Sequence, residues 1–259
     1  MTPLSALALF LIGAAASVFG SLVGLGGGFL VIPVLRLAFG VPPAEVAGTS
    51  LVLVFANTAS ASIGFWRDGK IDPKLALPFA IGAVPTSILG VIAVKRFSSA
   101  GFDIGYGILL LVLAALVLRR RYATPQPAAE HHWAYDPRVG LAGGLLIGFF
   151  SSTFGIGAGF VIVPLLLIAA RMPPHTVAAT SAFVITTTAP FGILGHALGG
   201  DIDVAVMVPL VLGGLVGGSI APAVARRVSS PLLVKLLAAG LIAAAIGLVV
   251  RHIAFGAAG

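Results

Sequence analysis

The residues with the strongest claim to chemistry are glycines. Residues 24–28 read Gly24-Leu25-Gly26-Gly27-Gly28, and residues 155–159 read Gly155-Ile156-Gly157-Ala158-Gly159. Glycine adopts positive φ at little cost and lets backbone approach a ligand closely. An apolar segment follows each run directly. The free N–H groups at its start, and the partial positive charge of a helix N-terminus, therefore face the run. That arrangement can hold an anion without a charged side chain. A second constellation supplies neutral donors: Thr49-Ser50 and Thr180-Ser181, Asn57, and the run Thr186-Thr187-Thr188, with Ser21 and Ser152 beside the glycines. The substrate-binding set read from the chain is Ser21, Gly26, Gly27, Gly28, Thr49, Ser50 and Asn57, with Ser152, Gly157, Ala158, Gly159, Thr180, Ser181 and Thr188. Packing is the competing use of the same residues. Gly20, Gly24 and Gly28, like Gly140, Gly144 and Gly148, have the small-xxx-small spacing of close helix contacts. Serine and threonine in membranes also bond their own helix backbone.

These residues recur at one offset. Pro33 and Pro164 stand 131 residues apart, and the same interval relates Ser21 to Ser152 and Gly24, Gly26 and Gly28 to Gly155, Gly157 and Gly159. It also relates Pro42-Pro43 to Pro173-Pro174, Thr49-Ser50 to Thr180-Ser181, and Gly69, Ile71 and Asp72 to Gly200, Ile202 and Asp203. No gap is required. The chain therefore reads as a first repeat over 1–121, a polar linker over 122–137 and a second repeat over 138–259, together forming one membrane domain. Each repeat holds five apolar segments: 4–22, 29–40, 46–66, 73–94 and 101–118, then 138–153, 160–171, 177–197, 204–225 and 232–250. A full span takes about 20 residues, so the third to fifth segments qualify. The first and second, joined by the glycine break, read as a helical hairpin, either spanning or with its tip inside the membrane.

Composition fixes the medium. Of 259 residues, 59% are hydrophobic and 9% charged, and mean hydropathy is +1.13. Soluble domains carry about 25% charged residues, so a soluble enzyme, a disordered chain and a nucleic-acid-binding domain are excluded. The chain has no cysteine, hence no disulfide or thiolate site. The opening MTPLSALALFLIGAAASVFG ends in small residues, but no Lys or Arg precedes Arg36; without a basic leader it reads as a retained membrane segment rather than a signal peptide.

The cations choose the handedness of the repeat. With each hairpin counted as out and back, Arg67, Lys70, Lys74, Arg119, Arg120, Arg121, Arg138, Arg171, Arg226, Arg227 and Lys235 fall on one side, and Arg36, Lys95, Arg96 and Arg251 on the other. Counting each hairpin as a single crossing leaves no bias. The positive-inside rule favours the first count. The expected fold is an all-α polytopic membrane protein of two inverted-topology repeats, each a Gly-broken hairpin plus three spanning helices. Both termini are expected outside, with the linker cytoplasmic and the whole chain in the cell (inner) membrane.

The remaining features bound the chemistry. Asp72 and Asp203 read as caps of the fourth helices, and Pro43 and Pro174 as helix starts. Pro78, Pro85, Pro190 and Pro209 suggest kinks. His131-His132 lacks spaced partners, so no metal or other cofactor is expected. His196, near a span end, reads as a satisfied interfacial histidine, with titration or substrate contact as the alternative. Glu45 and Asp103 stand at span ends, and no carboxylate lies mid-span. That suits an anionic substrate and leaves the coupling ion open. The glycine runs have no βαβ context for a dinucleotide, and no catalytic constellation points to an enzyme.

In Gly20–Pro33 (GSLVGLGGGFLVIP), Thr49-Ser50 and Gly69-x-Ile-Asp72, with their counterparts, the chain resembles the sulfite exporter TauE/SafE family over nearly its whole length. The resemblance implies a permease for a small sulfur-containing anion (sulfite, thiosulfate, sulfoacetate or another organosulfonate) working by alternating access around the two breaks. The expected partners are that anion and the lipid bilayer, with a homodimer left open and no nucleic acid. Ala158 at the position of Gly27, and Thr188 at that of Asn57, make the half-sites unequal. The alternatives are an anion-selective channel and a membrane scaffold whose glycines serve packing alone.

Overall fold

A computed structural model describes residues 2–118, 136–169, 172, 174–225, 238–248 and 250. Residues 122–135 of the linker, with His131-His132, lie outside these, as do Pro173, Arg119–Arg121, Arg171, Arg226, Arg227, Lys235 and Arg251. The first half forms α1 (Pro3–Val23), α2 (Gly28–Ala38), α3 (Pro43–Arg67), α4 (Pro73–Val94) and α5 (Ser99–Leu118). The second forms α6 (Pro137–Phe154), α7 (Gly159–Ile162, continued by a π-helix over Val163–Ala169), α8 (Pro174–Leu198) and α9 (Val204–Ala225), then α10 (Ala238–Leu248). The protein is all-helical over the described residues, and α1, α3, α4, α5, α8 and α9 contain stretches long and apolar enough to cross a membrane.

The local signals act as the sequence implies. Asp72 Oδ1 accepts from the Lys74 and Leu75 amides, and Asp203 Oδ1 accepts from those of Ala205 and Val206. Pro43 and Pro174 are the first residues of α3 and α8. Gly24 at φ 77° and Gly155 at φ 73° end α1 and α6 in the left-handed conformation, which a side chain would oppose. The 11 residues of α2 rise about 16 Å, roughly half of a 30 Å hydrocarbon core, so α2 returns from the break without spanning. Its counterpart departs from the expected second hairpin helix. After one α turn it widens into a π-helix. Pro164, which has no N–H to donate, lies in that wide stretch, whereas Pro33 is held within α2.

Equivalent helices run antiparallel. Phe65 and Ala61 near the end of α3 share a buried cluster with Ala178, Ala179 and Ala182 near the start of α8. Ser62 Oγ lies 3.3 Å from Thr186 Oγ1, and Gly48 at the start of α3 abuts His196 at the end of α8. The hairpins are exchanged between halves. Gly13 and Gly213 bring α1 and α9 together against the carbonyls of Leu210 and Phe10, and Gly144 and Gly82 bring α6 and α4 together against those of Phe79 and Leu141. The second set is the first displaced by 131 residues in opposite senses. Lipid offers no hydrophobic drive between helices, so such small-residue contacts carry the association. Antiparallel equivalents require a two-fold axis perpendicular to the helices, which is the inverted repeat.

One asymmetry fixes α5. Arg36 is buried and grips Asp103 with two bonds of 2.7 Å, from Nε to Oδ1 and from Nη2 to Oδ2. It also donates to the Val41 carbonyl at 2.7 Å, and its guanidinium lies 5.8 Å from the Phe102 ring centre. Asp103 is therefore not simply a span-end charge; it anchors the start of α5 to the end of α2.

Candidate functional site

The two glycine breaks meet. A Cβ added at Gly28 would stand 2.6 Å from the Gly155 carbonyl oxygen, and one added at Gly159 would strike the Gly24 carbonyl. These contacts are counterparts at the 131-residue offset, so the tips touch across the two-fold axis. Gly26 at φ 77° and Gly157 at φ 84° both face Val54 of α3 and Ile185 of α8, themselves counterparts. Positive φ without a Cβ is required here for both reasons that favour glycine.

The serines of the duplicated Thr-Ser pairs clasp the opposite tip. Ser50 Oγ donates to the Gly155 carbonyl at 3.1 Å, and Ser181 Oγ to the Gly24 carbonyl at 2.6 Å. Their hydroxyl protons are engaged, so their part in the site is to hold tip backbone in place. The threonines diverge. Thr49 Oγ1 accepts from the Asp203 amide at 3.2 Å, while buried Thr180 Oγ1 has no partner among the described residues.

Asn57 ties the first tip. Its Oδ1 accepts from Ser21 Oγ at 2.8 Å, and its Nδ2 donates to the Gly26 carbonyl at 3.0 Å. Thr188, at the equivalent place, bonds only its own helix among the described residues, at the Val184 carbonyl. Ser152 is buried, and its Oγ borders Gly192. Ala158 caps α7 at φ −72°, where Gly27 caps α2 at φ 86°. The half-sites are thus unequal in both backbone and side chains. Replacing Asn57 with alanine strips two buried groups of their partner, at about 1–3 kcal/mol each. Thermal unfolding of the detergent-solubilised variant is expected several degrees below that of wild type, with Thr188→Ala close to wild type.

The tip amides divide in the same way. Leu25 and Gly26 N–H turn back to the Gly20 carbonyl at 2.8 and 3.3 Å. The N–H groups of Gly27, Gly28, Gly157, Ala158 and Gly159 have no protein acceptor among the described residues, although all five residues are buried. Buried backbone donors almost always find a partner. Neither α2 nor α7 has a side-chain cap. Beside the tips lies a narrow apolar crevice walled by Leu25, Phe29, Ile156 and Phe160, with Leu110 and Leu113 of α5. No cluster of three or more His, Cys, Asp or Glu side chains able to hold a metal occurs among the described residues.

Sequence reasoning singled out His196 but not its surroundings: the ring is fully buried. Its Nε2 lies 2.8 Å from the Ser152 carbonyl and its Nδ1 3.4 Å from Asp201 Oδ2. The Arg36–Asp103 pair was equally hidden, since neither residue has a charged counterpart at the offset. The available signal was charge placed where the other repeat is apolar.

Inverted repeats, exchanged hairpins and facing backbone breaks define a polytopic membrane protein of the transporter class. The chain belongs to the sulfite exporter TauE/SafE family, whose profile matches residues 9–248. It is 28% identical over 250 residues to the probable membrane transporter protein YunE of Bacillus subtilis, covering 88% of this chain and 92% of that one. It is 29% identical over 211 residues to a probable membrane transporter protein of Xylella fastidiosa, covering 81% and 80%. It is 30% identical over 194 residues to the probable membrane transporter protein MJ0441 of Methanocaldococcus jannaschii, covering 73% and 71%. No solved structure matches the chain.

Proposed function

We propose that this transporter moves a small sulfur-containing anion (sulfite, thiosulfate, sulfoacetate or another organosulfonate) across the cytoplasmic membrane, with the two tips as its binding site. The observation that carries the reading is the set of buried amides at Gly27, Gly28, Gly157, Ala158 and Gly159 that have no acceptor among the described residues. An oxyanion offers several acceptors at once and meets the positive ends of the returning segments, each worth up to about 2 kcal/mol when partly buried. Ser50 and Ser181 hold the tips, Asn57 and Ser21 brace the first, and Thr49, Thr180, Ser152 and Thr188 line the helices that flank them. No carboxylate stands at the tips to repel the anion.

Alternating access is favoured over a channel by the α3–α8 crossing, which is packed at both ends. Ala61, Phe65, Ala178, Ala179 and Ala182 close one end; Gly48, His196 and Asp201 close the other. The protein acts as a carrier rather than an enzyme. The termini lie outside and the linker between residues 122 and 137 inside; a label on residues 122–130 reacting only from outside would overturn this orientation. Two copies can pair without altering the tips, because each site lies within one chain. Purified protein screened by thermal shift against sulfite, thiosulfate, sulfate, taurine and sulfoacetate is expected to gain several degrees with at least one sulfur anion at 100-fold above its Kd, since saturation there contributes about 2.7 kcal/mol. No shift with any of them would contradict the reading and favour a scaffold.

A further inference from the structure

The two ends of the α3–α8 crossing are equivalent in position and opposite in chemistry. At the 131-residue offset, Ala61, Phe65, Ala178, Ala179, Ala182 and Ile71 become Gly192, His196, Ala47, Gly48, Leu51 and Ile202. Where one closure holds Phe65 among alanines, the other holds a fully buried histidine. Gly48 makes room for it, since a Cβ there would stand 3.0 Å from His196 Cβ. The hairpin ties differ in the same sense. Asn57, an amide that does not titrate, holds the first hairpin through Ser21 and Gly26. His196 holds the second through the Ser152 carbonyl, and Ser152 is the counterpart of Ser21.

Both ring nitrogens of His196 face oxygen. At 2.8 Å from a carbonyl, Nε2 must carry hydrogen, because a carbonyl only accepts. Nδ1 then faces a carboxylate at 3.4 Å. With a lone pair there, the contact is acceptor against acceptor; with a proton, it is an imidazolium–carboxylate pair. Lys95 Nζ lies 3.0 Å from the same Asp201 oxygen and is partly exposed, as is the loop beyond it, which gives a route to water. Around the ring, α3 presents Gly48, α4 presents Lys95 and, beside Gly195, Val91, α6 presents Ser152, and the loop after α8 presents Asp201. Asp201 and Lys95 are the charged groups that act on the ring among the described residues. An ionisable side chain buried within a span marks an ion pathway more often than a packing accident.

We infer that His196 and Asp201 form the proton-binding site that couples the transport cycle to a pH gradient. A proton from water at the α8–α9 loop adds to Nδ1 of His196, whose Nε2 hydrogen stays on the Ser152 carbonyl, and the resulting imidazolium pairs with the Asp201 carboxylate. Its return to water leaves the closure and the second hairpin tie without that pair. This rests on the transport reading above.

The test uses the full chain in proteoliposomes, with labelled thiosulfate as probe and the membrane potential clamped at zero. An imposed pH gradient is expected to drive thiosulfate accumulation several-fold above the equilibrated level in wild type. His196→Gln keeps a donor for the Ser152 carbonyl but binds no proton; it should lose gradient-driven accumulation, with thermal unfolding at pH 8 close to that of wild type showing that the fold is intact. Accumulation by His196→Gln equal to wild type, or wild-type accumulation indifferent to the gradient, would overturn the inference. Should wild type exchange none of the sulfur anions, the transport reading falls, and the proton site is then read without substrate from the pH dependence of thermal unfolding between pH 5 and 8. A difference of several degrees between the profiles of wild type and His196→Gln supports the site, and superimposed profiles refute it. If His196→Gln does not fold, Asp201→Asn takes its place: a moved pH midpoint supports the site, and an unmoved one refutes it.

Discussion

Replacing Gly27 or Gly157 with valine is expected to reduce sulfur-anion flux to the background of empty liposomes while leaving membrane insertion intact. Gly27 stands at φ 86°, and an added Cβ would lie 2.7 Å from the Ala16 carbonyl. Gly157 stands at φ 84°, with its Cβ position 2.9 Å from Val54 and 3.1 Å from Ile185. A β-branched side chain in the left-handed region adds strain of about 1–2 kcal/mol; Gly27→Val forces the first tip away from α1, and Gly157→Val forces the second off the α3–α8 crossing. Gly69 at φ 65° and Gly200 at φ 73° provide the control, because nothing lies within 4 Å of a Cβ at either. Gly69→Val and Gly200→Val carry similar backbone strain without displacing a tip, so they should transport. Flux retained in both tip variants would remove the tips from the mechanism. Loss in the loop controls as well would reduce the effect to general destabilisation. Gly159→Ala separates the remaining possibility: its φ is ordinary, and only contact with the backbone of the other tip, at the Gly24 carbonyl and at Leu25 Cα 2.6 Å away, opposes a methyl group.

The second large effect concerns stability. Arg36→Ala strips the buried Asp103 carboxylate of its two guanidinium bonds, and Asp103→Ala strips Arg36 of that carboxylate, with an expected loss of about 3–5 kcal/mol. Detergent-solubilised single variants should unfold many degrees below wild type or fail to accumulate. Arg36→Lys should not rescue, because an ammonium cannot reproduce the two parallel bonds to Asp103 or lie flat on Phe102. The double variant Arg36→Leu/Asp103→Leu should recover most of the loss, since apolar replacement of a buried pair is often neutral. A double variant as unstable as the singles would show that the contacts to the Val41 and Ser99 carbonyls, rather than the lost ion pair, carry the effect.

How far the chain is legible depends on what repeats. The 131-residue offset carried the fold, because several element boundaries had a second witness: Gly24 with Gly155, Pro43 with Pro174, Asp72 with Asp203. The glycine surplus divides between two structural uses. Gly13, Gly82, Gly144 and Gly213 serve helix packing against carbonyls, while Gly26, Gly27 and Gly157 hold positive φ at the tips. What stayed hidden is what does not repeat. Nothing in the spacing of Thr49-Ser50 shows that the serine reaches across to the other half's tip, because that contact exists only once the hairpins are exchanged. Likewise, Asn57 and His196 have no counterparts of their own type. Their partners Ser21 and the Ser152 carbonyl are set by tertiary approach rather than sequence period. The π stretch after Gly159 is of the same kind, since Pro33 and Pro164 occupy equivalent positions in differently wound helices.

The most direct test of the tip site is hydrogen–deuterium exchange of the purified protein with and without saturating sulfite, thiosulfate or sulfoacetate, read peptide by peptide. Protection is expected in peptides covering 24–30 and 155–161 together, because one anion engages amides from both tips, and chloride at equal ionic strength should give none. An anion that stabilises the protein yet protects other segments, leaving both tips unchanged, would contradict the account.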